Sequence, residues 1–214
     1  MKCLFVSFLF LFFSLPVFCQ DQHPRPYLLD SFVDGTFFYQ SAPPRTAKFN
    51  YHLVGQEIVM DFENKKVPVN NFPNLDSIHI GDRNFILVDG KAYEELIGQP
   101  TRLLVDHKYT SQIAANEGAY GTKSHAAAVV VADQRIRPND FYALEWNEGY
   151  ELVNRTEYYI VEGDNWSKFN STNQLSQIFK DRKKEIKKYA SENNVDLHNT
   201  AQVKALVQFA MGKE

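Results

Sequence analysis

Residues 77–97 read SIHIGDRNFILVDGKAYEELI, and this stretch decides the fold. Ile78 and Ile80 alternate with polar residues before a short turn at Gly81 and Asp82, the apolar run 85–88 leads to a second turn at Asp89 and Gly90, and residues 92–97 follow. A period of two is typical of a β-strand with one buried face. Two-residue turns that contain glycine permit the positive φ angles that hairpins require. The stretch therefore predicts three antiparallel strands joined by tight turns.

The same period extends in both directions, from residue 28 to about residue 169. Apolar residues occupy odd positions in 47–53 and even positions in 58–62, and further strands are expected at 103–109, 126–132, 141–146, 150–153 and 156–162. Residues 110–125 lose the pattern and predict a long loop. About ten strands with no helical pattern between them predict a mainly β domain over residues 27–170, an antiparallel meander that forms a sandwich or a barrel-like sheet.

After residue 170 the apolar period becomes helical. Ser171 is placed to cap a helix with Gln174 three residues later, and Asn199 with Gln202 repeats that spacing. The two apolar stripes comprise Leu175, Ile178, Phe179, Ile186 and Tyr189, then Val203, Leu206, Val207 and Ala210. Asn193, Asn194 and Gly212 follow as expected helix ends. Residues 171–214 thus predict two C-terminal helices packed on or beside the sheet.

Residues 1–19 read MKCLFVSFLFLFFSLPVFC and have the layout of a secretory signal peptide. Their apolar run is shorter than the ~20 residues that span a bilayer. Val17 and Phe18 precede Cys19, and such bulky residues disfavour a lipoprotein cleavage site, so lipidation of Cys19 is the lesser alternative. Residues 20–26 (QDQHPRP) predict a disordered mature N-terminus. The expectation is a soluble exported protein, periplasmic or extracellular, with no transmembrane segment after signal removal.

Removal of the signal changes the composition. Both cysteines, Cys3 and Cys19, lie in the removed segment, and the remaining 195 residues carry 22 basic and 26 acidic side chains. A cysteine-free mature chain excludes disulfide scaffolds, thiolate zinc sites and cysteine nucleophiles. An exported acidic chain also disfavours nucleic acid as a partner.

The common catalytic signatures are missing from the sequence. Residues 118–124 (GAYGTKS) resemble a phosphate-binding loop, but only two residues separate the glycines and Thr122 intervenes before Lys123. The six histidines occur singly, without metal-ligand spacing. His79 and His107 each lie in a predicted strand, where a solvent-facing or hydrogen-bonded structural role is expected. We therefore expect no catalytic residue, no cofactor and no metal, and favour a protein that is not an enzyme.

Aromatic residues alternate with carboxylates between Asp140 and Asp164. The candidate binding residues of this region are Trp146, Tyr150, Tyr159 and Trp166. Aromatic faces beside carboxylates suit sugar rings, and a carboxylate pair among Glu145, Glu148, Glu151 and Glu157 could hydrolyse a glycosidic bond. The same pattern also fits aromatics that fill a sheet core and acids that face solvent, which is the more economical interpretation.

Residues 180–188 (KDRKKEIKK) carry six basic and two acidic side chains, whereas residues 20–179 carry 14 and 21. Lys183, Lys184, Lys187 and Lys188 are the candidate binding residues of this segment. They lie mostly off the apolar stripe and form the polar face of an amphipathic helix. That face is an ordinary solvated one or a docking surface for an anionic surface, a polyanion or the acidic sheet.

Four segments carry a resemblance to a known group. They are residues 49–52 (FNYH), 80–85 (IGDRNF), 119–122 (AYGT) and 178–189 (IFKDRKKEIKKY), the last followed by residues 193–197. In their order the chain resembles a group of uncharacterised exported β-rich proteins of Bacteroidetes-type bacteria. The resemblance implies an envelope or periplasmic location and a sheet followed by helices. It implies no activity, cofactor or catalytic residue.

Together these patterns predict an exported β module of the cell envelope that binds a ligand or a protein partner. The alternatives are a hydrolase of glycan or another envelope polymer that uses carboxylates near 145–164, and a structural or assembly component that docks through the basic helix.

Overall fold

The computed structural model of the chain describes residues 24–69, 74–113, 141–146 and 150–212. In these ranges the fold is mainly β, with three α-helices after the last strand. The strands are β1 Val33–Tyr39, β2 Arg45–His52, β3 Glu57–Phe62, β4 Lys65–Pro68, β5 Leu75–Ile80, β6 Arg83–Val88, β7 Lys91–Ile97, β8 Thr101–Asp106, β9 Tyr109–Ile113, β10 Tyr150–Asn154, β11 Glu157–Glu162 and β12 Asn165–Phe169. The helices are α1 Thr172–Ile178, α2 Lys183–Glu192 and α3 Thr200–Ala210, and a 3-10 turn, Lys180–Arg182, separates α1 from α2.

Ten strands form one antiparallel sheet in the order β12-β11-β8-β7-β6-β5-β1-β2-β3-β4, and β9 pairs separately with β10. The predicted meander is confirmed as β5, β6 and β7. Gly81 has φ 59°, and Asp89 and Gly90 have φ 52° and 78°, so both turns use the left-handed conformation that hairpins need. The predicted mainly β class, with helices at the C-terminus, is likewise confirmed.

One face of the sheet carries two apolar clusters. Strands β1 to β3 curl over β5 and β6, because the Tyr51 ring on β2 stacks on Phe85 of β6 at 5.5 Å between centroids. The buried members of this curled cluster are Phe37, Phe49, Tyr51, Leu53, Ile58, Val69, Leu75, Ile78, Ile80, Phe85 and Ala92. The helices cover the other end of the face, around Leu103, Val105, Tyr158, Ile160, Phe169, Leu175, Ile186, Ala190, Val203, Leu206, Val207 and Ala210.

The helix caps form where the sequence places them. The Ser171 hydroxyl accepts from Gln174 N, and Asn199 Oδ1 accepts from the N–H groups of Ala201 and Gln202. The first predicted helix is nevertheless broken at Phe179, whose backbone has φ −99° and ψ 69°. Just after the break, Arg182 places its guanidinium over the Phe209 ring and donates to the Phe209 carbonyl of α3. This long-range contact is invisible to the local apolar period.

Two loop and strand predictions were wrong. Residues 110–113 belong to β9 and not to the long loop, because they pair in register with β10. Residues 141–146 form a turn and a bend instead of a strand, and Trp146 donates its backbone N–H to the Pro24 carbonyl and its Nε1–H to the Phe141 carbonyl. At the end of the stretch 20–26, the Pro24 carbonyl accepts from Trp146 N and the Pro26 carbonyl accepts from Leu53 N. These two bonds hold residues 24–26 against the folded chain.

Several predictions fall outside the described residues. They are the signal peptide with Cys19, the strand at 126–132 and the loop at 118–124. Across the part of the chain that the structure describes, no helix combines the length and the apolar character needed to cross a bilayer.

Candidate functional site

The helices pack on one face of the sheet, and the opposite face carries a group of aromatic and charged side chains. Strand alternation places Lys91 and Tyr93 of β7, Asp106 of β8, Glu157 and Tyr159 of β11, and Trp166 and Lys168 of β12 on this opposite face. We call these seven residues the open-face cluster. Two of them, Tyr93 and Tyr159, pack against a small apolar cluster of Ile86, Leu104 and Val161.

Three aromatic rings form the centre of the open-face cluster. The Tyr93 and Tyr159 ring centroids are 5.8 Å apart, those of Tyr93 and Trp166 are 5.4 Å apart, and those of Tyr159 and Trp166 are 5.7 Å apart. Each pair meets edge to face, the preferred geometry of aromatic contacts. Trp166 is 39% exposed, which is unusual for so large an apolar side chain. The structure thus presents a group of packed aromatic rings to solvent at Trp166.

Two ion pairs flank the rings. Lys91 Nζ lies 2.5 Å from Asp106 Oδ2, and Lys168 Nζ lies 2.6 Å from Glu157 Oε1. Asp106 is 1% exposed, and its second oxygen, Oδ1, has no hydrogen-bond partner among the described residues. Because each charge has an opposite charge beside it, the cluster has no net charge.

The ionisation of these groups suits hydrogen bonding and not acid catalysis. Burial alone raises the pKa of Glu157, but hydrogen bonds from Lys168 and Tyr159 outweigh it, so the pKa is lowered overall. Burial, together with the hydrogen bond to Glu157, raises the pKa of Tyr159 well above its usual value. Glu157 therefore stays an anion and Tyr159 stays a phenol at neutral pH. A glycosidase acid would need the reverse, a carboxyl group with a raised pKa.

The four predicted aromatic binding residues separate into two groups. Tyr159 and Trp166 meet in the open-face cluster. Trp146 is 3% exposed, and its ring lies 6.1 Å from those of His52 and Tyr150. Tyr150 is half-buried on β10, in the two-stranded sheet. Trp146 therefore belongs to the interior, as the more economical interpretation expected.

Each described carboxylate considered for hydrolysis binds a partner that is not a carboxylate. Glu145 binds Arg25 at 3.0 Å, Glu151 accepts from Gln112 at 3.0 Å, and Glu157 binds Lys168. Asp140 and Glu148 lie outside the described residues.

The four predicted lysines lie on α2 as expected. Lys184, Lys187 and Lys188 are exposed and Lys183 is half-buried, while Ile186 and Ala190 face the interior. Lys188 lies 3.8 Å from Glu192, a contact between two exposed side chains. The predicted amphipathic helix is confirmed.

A second polar cluster lies on the helix-covered face. Arg83 Nη1 is 2.8 Å from Glu94 Oε1, and His107 Nε2 is 2.5 Å from Glu94 Oε2. Glu94 and His107 are each 3% exposed. The cluster borders a cleft of about 250 Å³ under the first turn of α3, beside Thr200 and Lys204. Both carboxylate oxygens of Glu94 therefore have partners in the interior.

Sequence reasoning missed Tyr93, Lys91, Asp106 and Glu94. The alternation in β7 carried a usable signal, because it assigns Lys91 and Tyr93 to one face and Ala92 and Glu94 to the other. Their partners on β6, β8 and β11 could not be found from local spacing.

Within the described residues, no group of three or more histidine, cysteine, aspartate or glutamate side chains is placed to hold a metal ion. Comparison of the chain with protein families, with curated proteins and with solved structures gives no match.

Proposed function

We propose that this chain is an exported binding module of the cell envelope that takes a glycan on its open-face cluster. The observation that carries the proposal is the contact of Tyr93, Tyr159 and Trp166 on the face of the sheet that the helices leave free. A sugar ring offers one apolar face and a rim of hydroxyl groups. Aromatic rings bordered by fixed polar groups are complementary to that shape.

The charges of the cluster favour a neutral glycan. Lys91 is already paired with Asp106, and Lys168 with Glu157, so an ionic ligand would have to break an existing pair. A hydroxyl group can instead donate to a carboxylate or accept from a lysine while both pairs persist. The ligand class is therefore an uncharged hexose polymer and not a polyuronate.

Binding is better supported than hydrolysis. Asp106 and Glu157 are opposite each other in the register of β8 and β11. Each is bound to a lysine, and the pKa of Glu157 is lowered. A carboxyl group whose pKa is lowered, as that of Glu157 is, is not prepared to protonate a leaving group. The export part of the proposal rests on the signal-like residues 1–19.

The test is affinity electrophoresis or titration of the purified mature chain against neutral and acidic polysaccharides. Replacement of Trp166 by alanine removes the most exposed ring of the cluster, so we expect binding of the neutral polymer to weaken about tenfold or more. The matched control is Phe62→Ala, which removes an exposed aromatic ring, 54% exposed, near the other edge of the same sheet.

Unchanged binding in Trp166→Ala, or an equal loss in Phe62→Ala, would contradict the assignment of the site. Preference for a polyuronate over a neutral polymer would contradict the assignment of the ligand class.

A further inference from the structure

A groove of about 780 Å³ opens between the helices and the adjacent ends of β8 and β11. Its volume lies in the range of ordinary small-molecule sites, about 300–1,000 Å³. The lining comprises five apolar side chains, Pro100, Ile178, Phe179, Ala210 and Met211, and five polar ones, Thr101, Glu162, Lys180, Asp181 and Arg182. Ile178, Phe179 and Met211 are only half-buried, so the groove presents apolar surface to a ligand.

Most of the polar lining is already engaged. Arg182 donates Nε to Glu185 Oε2 at 2.8 Å, and its guanidinium lies over Phe209. Thr101 donates to Glu162 Oε1 at 3.1 Å. Lys180 makes no ion pair with any described residue. The same is true of Asp181, the carboxylate that follows it in the lining.

Positive charge continues from the groove along α2. Lys183, Lys184 and Lys187 have no ion-pair partner among the residues that the structure describes, and residues 180–188 carry a net charge of +4. The lining itself holds two basic and two acidic side chains, with Lys180 as its lysine, and the excess of positive charge lies on α2, which continues from it. An apolar cavity at the start of such a basic helix is complementary to an apolar chain that ends in an anionic group.

We infer that this groove binds a monomeric anionic amphiphile, a single acyl chain with a carboxylate or phosphate head group. The chain lies on Ile178, Phe179 and Met211, and the head group faces Lys180 and Lys184. This site is separate from the glycan site, because its residues belong to the helices and to the ends of β8 and β11.

A membrane surface fits the same lysines less well. A helix that lies in a bilayer interface inserts apolar side chains on its membrane-facing side. The apolar residues Ile186 and Ala190 of α2 are buried against the sheet and α3, and its exposed positions are all polar: Lys184, Glu185, Lys187, Lys188, Ser191 and Glu192. Helix α2 therefore has no apolar group to insert, whereas the groove can hold a single chain.

The experiment is calorimetric titration of the mature chain, with each amphiphile below its critical micelle concentration. The probes are dodecanoate, dodecyl phosphate, the nonionic octaethylene glycol dodecyl ether and inorganic phosphate. We expect both anionic amphiphiles to bind about tenfold more tightly than the nonionic one, because only they pair with the lysines. Inorganic phosphate alone should not bind, since it lacks the apolar chain.

Lys180→Glu/Lys184→Glu should weaken dodecanoate binding about tenfold. Lys204→Glu makes the same kind of charge change on α3, beside the other cleft, and should leave binding unchanged. Met211→Glu should abolish binding by placing a carboxylate in the apolar lining, and Phe62→Glu controls for an added acid on an exposed apolar residue. Circular dichroism of each variant checks that it is folded.

Equal affinity for the nonionic amphiphile would overturn the role of the lysines. Binding to anionic phospholipid vesicles without binding of monomeric dodecanoate would overturn the inference in favour of a membrane surface. Retained binding in folded Met211→Glu would show that the groove is not the site. Glycan binding by the same preparations reports separately on the open-face cluster.

Discussion

At the residue scale, His52 shows how burial and hydrogen bonding select one protonation state. The side chain is fully buried, Nδ1 accepts the Gly55 N–H at 2.9 Å, and Nε2–H donates to the Phe141 carbonyl at 3.0 Å. An acceptor role at Nδ1 requires the neutral imidazole with its proton on Nε2. Burial lowers the pKa of His52 to about 4, although the bond to Phe141 opposes the shift.

His52 therefore contributes a defined pH dependence to stability. The unfolded chain binds the proton with a pKa of about 6.5 and the folded chain only near pH 4, so the unfolded state takes up more protons between these values. The contribution is complete above about pH 6.5 and is lost as the pH falls towards 4, amounting to about 3 kcal/mol. Urea unfolding between pH 7.5 and pH 4 measures it.

His52→Gln is the reference variant for this measurement, because glutamine can accept and donate in a similar geometry without titrating. The difference in unfolding free energy between the two proteins should shrink as the pH falls through this window. A difference that is constant with pH would show that His52 does not titrate with a lowered pKa.

At the element scale, the pairing of β1 depends on a missing side chain. Gly35 is opposite Ala47 of β2 and Ile80 of β5. A Cβ atom at this position would lie 2.4 Å from the His79 carbonyl oxygen and 2.6 Å from Cδ2 of the Phe49 ring. The φ angle is not in the left-handed region, so glycine is needed here for space and not for conformation. The Phe49 ring covers the strand where a side chain would otherwise stand.

Gly35→Ala should therefore destabilise the protein by about 1–3 kcal/mol, the usual cost of overpacking a filled interior. Gly98→Ala is the matched control, since the nearest atoms to its Cβ belong to the Glu95 carboxyl group at 3.9 Å. We expect the control to change the unfolding free energy by no more than about 0.5 kcal/mol in urea titrations. Equal stability of the two variants would mean that β1 can move away from the Phe49 ring.

The elements divide sharply into those that local sequence predicts and those that it does not. Strands β5 to β7 and the caps at Ser171 and Asn199 follow from spacing, because their hydrogen bonds join residues close in sequence. Strand β9 pairs with β10 about forty residues later, and Arg182 reaches Phe209 on α3. Such partners are chosen by the tertiary fold. The same limit hid Tyr93 from the candidate site, although Tyr159 and Trp166 were identified.

At the scale of the whole molecule, one sheet joins two apolar clusters. Phe85, Glu94 and Val105 are neighbours across β6, β7 and β8, and Phe85 belongs to the curled cluster whereas Val105 belongs to the helix-covered one. Glu94 lies between them and binds Arg83 and His107. Strands β6 to β8 carry members of both clusters, and the contacts of Glu94 link these neighbouring strands. Loss of packing in the curled cluster or in the helix-covered cluster would therefore disrupt strands on which the other cluster is built.

The two halves should therefore unfold in one cooperative transition, and the two tryptophans of the chain report on them separately. Trp146 packs on His52 near the curled cluster, and Trp166 lies beside Tyr159 at the other end of the sheet. Trp166→Phe leaves Trp146 as the fluorescent probe, and Trp146→Phe leaves Trp166. Within each variant, the fluorescence midpoint in urea should coincide with the midpoint of helical circular dichroism, whatever the variant's overall stability. A Trp146 transition that is complete before the helices unfold would show instead that the curled half is an independent domain. In that case the contacts of Glu94 with Arg83 and His107 would stabilise only their own surroundings and would not couple the two halves.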